Sequence, residues 1–147
     1  MPLALRYGLG LLPWSPLAMG MLAGRYGKPG TWPQGSRAAR IGSWAAERVS
    51  TAGLRAATKV AETALDLGIS SSQLALAWLM QQPGVTAPII GPRTMQHLED
   101  SLGALEVHLQ PEILEQLDAI VPPGSAVADF HNTSGWMRMR LDAASAG

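Results

Sequence analysis

GLLPWSPLAMGMLAGRY, residues 10–26, is an apolar run that halts at Pro-Trp-Ser-Pro and continues into a stretch punctuated by glycine. Gly8 to Trp14 reads as a buried strand, because it is Leu-rich, bounded by glycine and too short for a helix. The SPL that follows starts a loop, and Ser15, Leu17, Ala18 and Gly20 supply backbone N–H groups just beyond the strand end. Gly20 and Gly24 permit close backbone approach. A second segment of the same kind is IIGPRTMQHLEDSLGAL, residues 89–105. Val85 to Ile90 reads as another buried strand ended by Gly91, with Arg93 and Thr94 at the start of a helix whose dipole favours an anion. Arg93 offers a planar fork suited to phosphate. Taken singly, the first segment also reads as an ordinary glycine-rich turn and the second as a surface arginine beside a capping threonine. Together they suggest a dinucleotide phosphate site.

Working outward, Gly27 to Ser43 is rich in Gly, Pro, Ser and Arg and reads as a long covering loop. Gly53 to Leu67 spaces Leu54, Ala57, Val60, Ala61, Ala64 and Leu65 on one helical face, with Gly68 as the stop. Ser70 to Gln82 repeats that logic, with serines suited to capping and an apolar face of Leu74, Ala77, Trp78 and Leu79. Thr94 caps a helix running to Leu105, and Pro111 sits in the first turn of another that ends near Val121. Beyond Pro122 and Pro123 the period is lost, so 1–123 is expected to form the folded unit and 124–147 a tail or loop. Strands alternating with helices imply an α/β fold. Two parallel strands leave both sheet edges bare, so the sheet must be finished by another chain, a missing segment or a second copy.

With 147 residues, 47% hydrophobic and 15% charged, the chain falls among globular proteins. Eleven basic and eleven acidic side chains give no net charge and no blocks of one sign, which argues against nucleic-acid or lipid-surface binding. The absence of cysteine removes disulfides, thiolate metal sites and thiol nucleophiles, and fits the cytoplasm. Pro13 to Pro16 interrupt what would otherwise resemble a secretory leader, and no stretch is long enough to span a membrane. His97, His108 and His131 have no paired spacing with carboxylates, so no metal is expected. Glu99, Asp100, Glu112, Glu115 and Asp118 read as solvated helix faces, Trp78 as core, and Tyr7 and Tyr26 as packing residues. Trp136 fits either a pocket wall or a tail aromatic packed on the fold.

WSPLAMGMLAGRY at 14–26, SRA at Ser36 to Ala38, and PIIGPRTMQHLEDSLGALEVHLQPEILEQLDAI at 88–120 occur in order, and the chain from about Gly8 to Pro123 thereby resembles the C-terminal half of the aldo-keto reductases. The branch it is similar to includes bacterial oxidoreductases and potassium-channel β subunits. The resemblance implies a partial (β/α)8 TIM barrel, its C-terminal portion, with Gly8 to Trp14 and Val85 to Ile90 as the last two strands and helices around them. It implies NADPH as cofactor. Trp14 then matches the aromatic that stacks on the nicotinamide, and Ser15, Pro16, Leu17 and Gly20 match the pyrophosphate loop. Arg25 stands where the family usually has a phosphate-side Lys, and Arg37 matches the arginine of the belt over the cofactor. Gly91 and Arg93 fall on the 2′-phosphate side of the adenosine, and Asp100 near the adenine. His97 replaces a usual Gln and Ser101 a frequent Asn, differences that bear on adenine rather than phosphate contacts.

The family's catalytic Tyr, Lys, Asp and His come from its first four strands, which have no counterpart in this sequence, so no catalytic residue is assigned. The expectation is a truncated reductase of aldehydes or ketones that holds NADPH and is inactive alone. A non-catalytic nucleotide-binding or subunit-assembly module is the alternative, and a helical interaction protein a third. Expected partners are NADPH and either a complementary barrel half or a second copy.

Overall fold

A computed structural model describes residues 2–28, 30–41 and 48–127. Trp44, His131, Trp136 and nearly all of the expected tail lie outside the described residues.

The chain opens with a helix absent from the sequence reading, α1 (Pro2–Tyr7). It stops where the sequence demands, at Gly8, whose φ of 63° lies in the left-handed region. The amide of Leu9 closes the helix by donating to the Ala4 carbonyl at 2.8 Å. The following segment meets the second expected strand in two isolated parallel bridges, Leu11 with Val85 and Trp14 with Ile89. Leu11 N donates to Gly84 O, Thr86 N to Leu11 O and Ile89 N to Pro13 O, at 2.8–3.0 Å.

These two segments pair in the expected order and direction, but neither becomes a full strand and neither is buried as expected. Pro13 and Pro88 sit within the paired stretch and have no N–H to give the ladder. These segments are also poorly covered: Leu9, Leu12, Trp14 and Ile89 are all more than half exposed. Leu3, Leu5 and Tyr7 of α1 extend the same apolar character. A parallel sheet is stable where both faces are covered, and here Leu5 of α1 reaches only Gly84 beside Leu11, leaving Leu9, Leu12, Trp14 and Ile89 open.

The expected long loop at 27–43 contains a helical turn, α2 (Arg37–Ile41). Ser36, 5% exposed, starts it by accepting from the Ala39 amide through Oγ at 3.1 Å. Three longer helices form the scaffold: α3 (Thr51–Asp66), α4 (Ser71–Met80) and α6 (Pro111–Ile120), with α5 (Met95–Gly103) beside α4.

Each begins or ends on a signal present in the sequence. Ser50 caps α3 by accepting from the Gly53 amide. At the other end, Gly68 takes φ 69° while Gly68 N and Ile69 N donate back to Leu65 O and Ala64 O. Ser70 and Gln73 form a reciprocal capping box on α4. Thr94 caps α5, which ends at Gly103 and tightens into a 3-10 turn at Ala104–Glu106. Pro111 occupies the first turn of α6, and Glu112 in that turn complements the helix dipole.

Two cores result. One gathers Met21, Tyr26, Ala38, Val49, Leu54 and Ala57, and so welds the loop after Trp14 to the start of α3. The other gathers Ala64, Leu74, Ala77, Leu109 and Leu117 between α3, α4 and α6. Leu65 was expected on the inward face of α3 but is 79% exposed. It lies eleven residues, about 16 Å, along the axis from Leu54, and the loop core that covers Leu54 does not reach it. Asp118 is not simply a solvated carboxylate: it accepts from Trp78 Nε1 at 3.0 Å and ties α6 to α4. No described helix is long and apolar enough to cross a membrane.

Candidate functional site

The turn after the first bridged segment has an unusual backbone. Ser15, Ala18 and Met19 all have positive φ, at 54°, 46° and 62°, and Gly20 follows at 103°. Left-handed conformations are costly for residues with a Cβ, and runs of them occur where surrounding structure enforces them. Here part of the enforcement comes from local bonds, with Ala18 N donating to Ser15 O and Gly20 N to Leu17 O at 2.8–2.9 Å. That corrects the sequence reading of the loop, because the amides of Ala18 and Gly20 are already used. Within the 15–20 loop, the amides of Ser15, Leu17 and Met19 make no hydrogen bond to the described residues, so the loop still presents several free donors.

Tyr26 holds the loop from behind. Its ring is 8% exposed and meets Trp32 edge to face, centroids 5.6 Å apart. Its hydroxyl donates to Met19 O at 2.9 Å and accepts from Ala38 N at 3.4 Å. The packing role expected for Tyr26 is present, with two hydrogen bonds added; Tyr7 is 66% exposed and packs little.

Opposite this loop stands the start of α5. Thr94 Oγ1 accepts from the His97 amide at 3.2 Å and so caps the helix. Arg93 donates to Gly35 O at 3.0 Å, and the Arg25 guanidinium donates to Nε2 of His97. Ser101 donates its hydroxyl to His97 O at 2.7 Å, leaving its oxygen as an acceptor only.

Between the two lies a cleft of about 490 Å³. Trp14, Ser15, Pro16, Leu17, Gly20, Arg25, Arg37, Gly91, Arg93, His97, Asp100 and Ser101 all line it, so the twelve residues singled out in the sequence converge on one space. A side chamber of about 320 Å³ shares Arg25, Arg93 and His97 and is roofed by residues 33–36. Arg40, Ser72, Met19 and Tyr26 also line the main cleft and were missed. Arg40 had a usable signal, since it stands three positions from Arg37 and so on the same face once 37–41 is helical. Ser72 had none, because it is brought in by the packing of α4.

The cleft is electropositive by composition. Arg25, Arg37, Arg40 and Arg93 line it against one carboxylate, Asp100. Guanidinium groups plus free amides form a donor set matched to a polyanion, while exposed Trp14 offers an aromatic face at one end. That donor set fits a dinucleotide. Among the described residues no group of three or more His, Asp or Glu could hold a metal ion.

Residues 1–122 match the aldo/keto reductase family. The chain is 39% identical over 132 residues to the uncharacterized oxidoreductase YrpG of Bacillus subtilis, covering 89% of this chain and 38% of that protein. It is 37% identical over 125 residues to a probable voltage-gated potassium channel subunit beta of Oryza sativa, and 32% identical over 125 residues to one of Arabidopsis thaliana. Those matches cover 82% of this chain and 38% of each plant protein. The chain therefore spans less than two-fifths of the length of these relatives, while nearly all of its described part lies within the match. By that match, the chain belongs to the aldo/keto reductase family.

Proposed function

We propose that this chain is the cofactor-holding part of an NADPH-dependent reductase of aldehydes or ketones, with residues 1–123 as the binding unit and 124–147 as a tail. The supporting observation is the convergence of the strained 15–20 loop and the Arg93 end of α5 on one arginine-lined cleft. Trp14 stacks on the nicotinamide. Ser15, Pro16, Leu17 and Gly20 lie along the diphosphate, with Arg25 and Arg37 neutralising it. Gly91 and Arg93 receive the 2′-phosphate, and His97, Asp100 and Ser101 surround the adenosine.

When bound, the reduced nicotinamide supplies hydride to a carbonyl carbon. The residues of this chain bind and orient; the acid that protonates the carbonyl oxygen comes from a complementary barrel half packed on the exposed face of Leu9, Leu12 and Ile89. The whole is a TIM-barrel protein of the cytoplasm.

Titrating NADPH into the chain quenches tryptophan fluorescence, and Trp14→Phe removes most of that quenching. Adding a polypeptide that supplies the remaining strands then gives aldehyde-dependent loss of NADPH absorbance at 340 nm, an ordinary assay wavelength for the reduced nicotinamide. Binding without any turnover in the mixture would favour a nucleotide-binding or subunit-assembly module, and an unchanged fluorescence in folded protein would contradict both.

A further inference from the structure

We propose that the Tyr26 hydroxyl is a positioning group that locks the 15–20 loop to α2, so that the loop amides and the α2 arginines present themselves to a diphosphate as one unit. The inference rests on the dinucleotide reading above and adds a residue that the reading does not use.

The hydroxyl is used both ways, as donor to Met19 O and as acceptor from Ala38 N. Its two partners belong to different elements, Met19 to the loop and Ala38 to α2. Met19 is one of three non-glycine residues held at positive φ among the described residues, and its own amide is among the unbonded donors of the loop. Ala38, fully buried, sits between Arg37 and Arg40, both of which line the cleft. One oxygen therefore joins the strained donors to the cations that would share their ligand. Burial of the ring against Trp32 fixes where that oxygen stands. The local space is tight: a Cβ built on Gly20 would meet Arg25 Cδ at 3.3 Å and the Tyr26 hydroxyl at 3.6 Å. Without the hydroxyl, nothing described holds the Met19 carbonyl, and the peptide can relax out of the left-handed region.

Preorganised donors bind better than mobile ones because ordering is complete before the ligand arrives. A merely structural tyrosine would weaken every ligand alike. The lock predicts a split: the diphosphate end suffers, whereas a monophosphate held at the Arg93 end does not.

The test uses the full chain with Tyr26→Phe, which keeps the ring and its contact with Trp32. Calorimetry with NADPH and with adenosine 2′-monophosphate should show about tenfold weaker NADPH binding, close to 1.4 kcal/mol, and unchanged monophosphate binding. Equal weakening of both, or of neither, overturns the proposal. Hydrogen exchange on the ligand-free protein gives a second arm that does not depend on cofactor binding. The bonded amides of Ala18, Gly20 and Met21 and those of 38–40 should lose protection together in the variant, and loss confined to one segment, or no loss, overturns the lock. If the unsubstituted chain binds neither nucleotide, the dinucleotide reading fails while the exchange result still decides the coupling.

Discussion

Arg93 and Gly35 stand 58 positions apart in the chain and are joined across the mouth of the cleft by a guanidinium-to-carbonyl hydrogen bond of 3.0 Å. The bond pins the loop before α2 to the start of α5 and roofs the side chamber that both line. Since a hydrogen bond contributes about 1 kcal/mol net, Arg93→Ala should raise local opening of residues 30–36 about fivefold. Limited proteolysis of that loop measures it, and the global unfolding midpoint should hardly move because the contact is exposed.

The α4 capping box makes Ser70→Ala a clean stability probe. Ser70 Oγ accepts from Gln73 N at 3.0 Å while Gln73 Oε1 accepts from Ser70 N at 3.1 Å. Its loss should cost about 1 kcal/mol in urea unfolding. Gly103→Ala should cost in the same assay, because a Cβ there would press on the Gln73 side chain that completes the box.

Helix ends and helical faces were legible from the chain alone because they depend on neighbours within a few residues. Ser70 with Gln73, Thr94 with His97, and Gly68 at its positive φ are all short-range chemistry. The convergence of Trp14, Ser15, Arg25 and Arg93 was also legible, since each stands at the end of a recognisable apolar run or motif. The strands are shorter than the local sequence suggests. Pro13 and Pro88 were visible, yet how far a parallel pair extends depends on covering layers that the local sequence does not describe. Which loop amides stay free was not legible either, because Ala18 and Gly20 bond within a turn of left-handed residues that Tyr26 contacts from a position outside it. Ser72 and Asp118 owe their positions to helix packing, and no spacing rule announces them.

Asp118 and Trp78 give a test of the bond between α6 and α4. Asp118→Leu leaves the half-buried indole N–H without its acceptor and should destabilise by about 1–3 kcal/mol. Asp118→Asn keeps a carbonyl oxygen in place and should cost clearly less. Chemical denaturation followed by tryptophan fluorescence distinguishes the pair; equal losses would mean that the hydrogen bond contributes nothing.

Leu74 is fully buried where α3, α4 and α6 meet. Leu74→Ala should cost about 2–5 kcal/mol, with the upper part expected if the surrounding helices cannot close the cavity. Thermal melting by circular dichroism checks it. A near-neutral result would show that this second core is not packed as described.

The most direct measurement is calorimetric titration of the unsubstituted chain with NADPH and with NADH at two salt concentrations. One site, NADPH bound at least about tenfold more tightly than NADH, and a preference that shrinks as salt rises is the expected result. Equal affinity for the two nucleotides, or no heat from either with correctly folded protein, would contradict a cleft in which the 15–20 loop and Arg93 grip one phosphorylated dinucleotide.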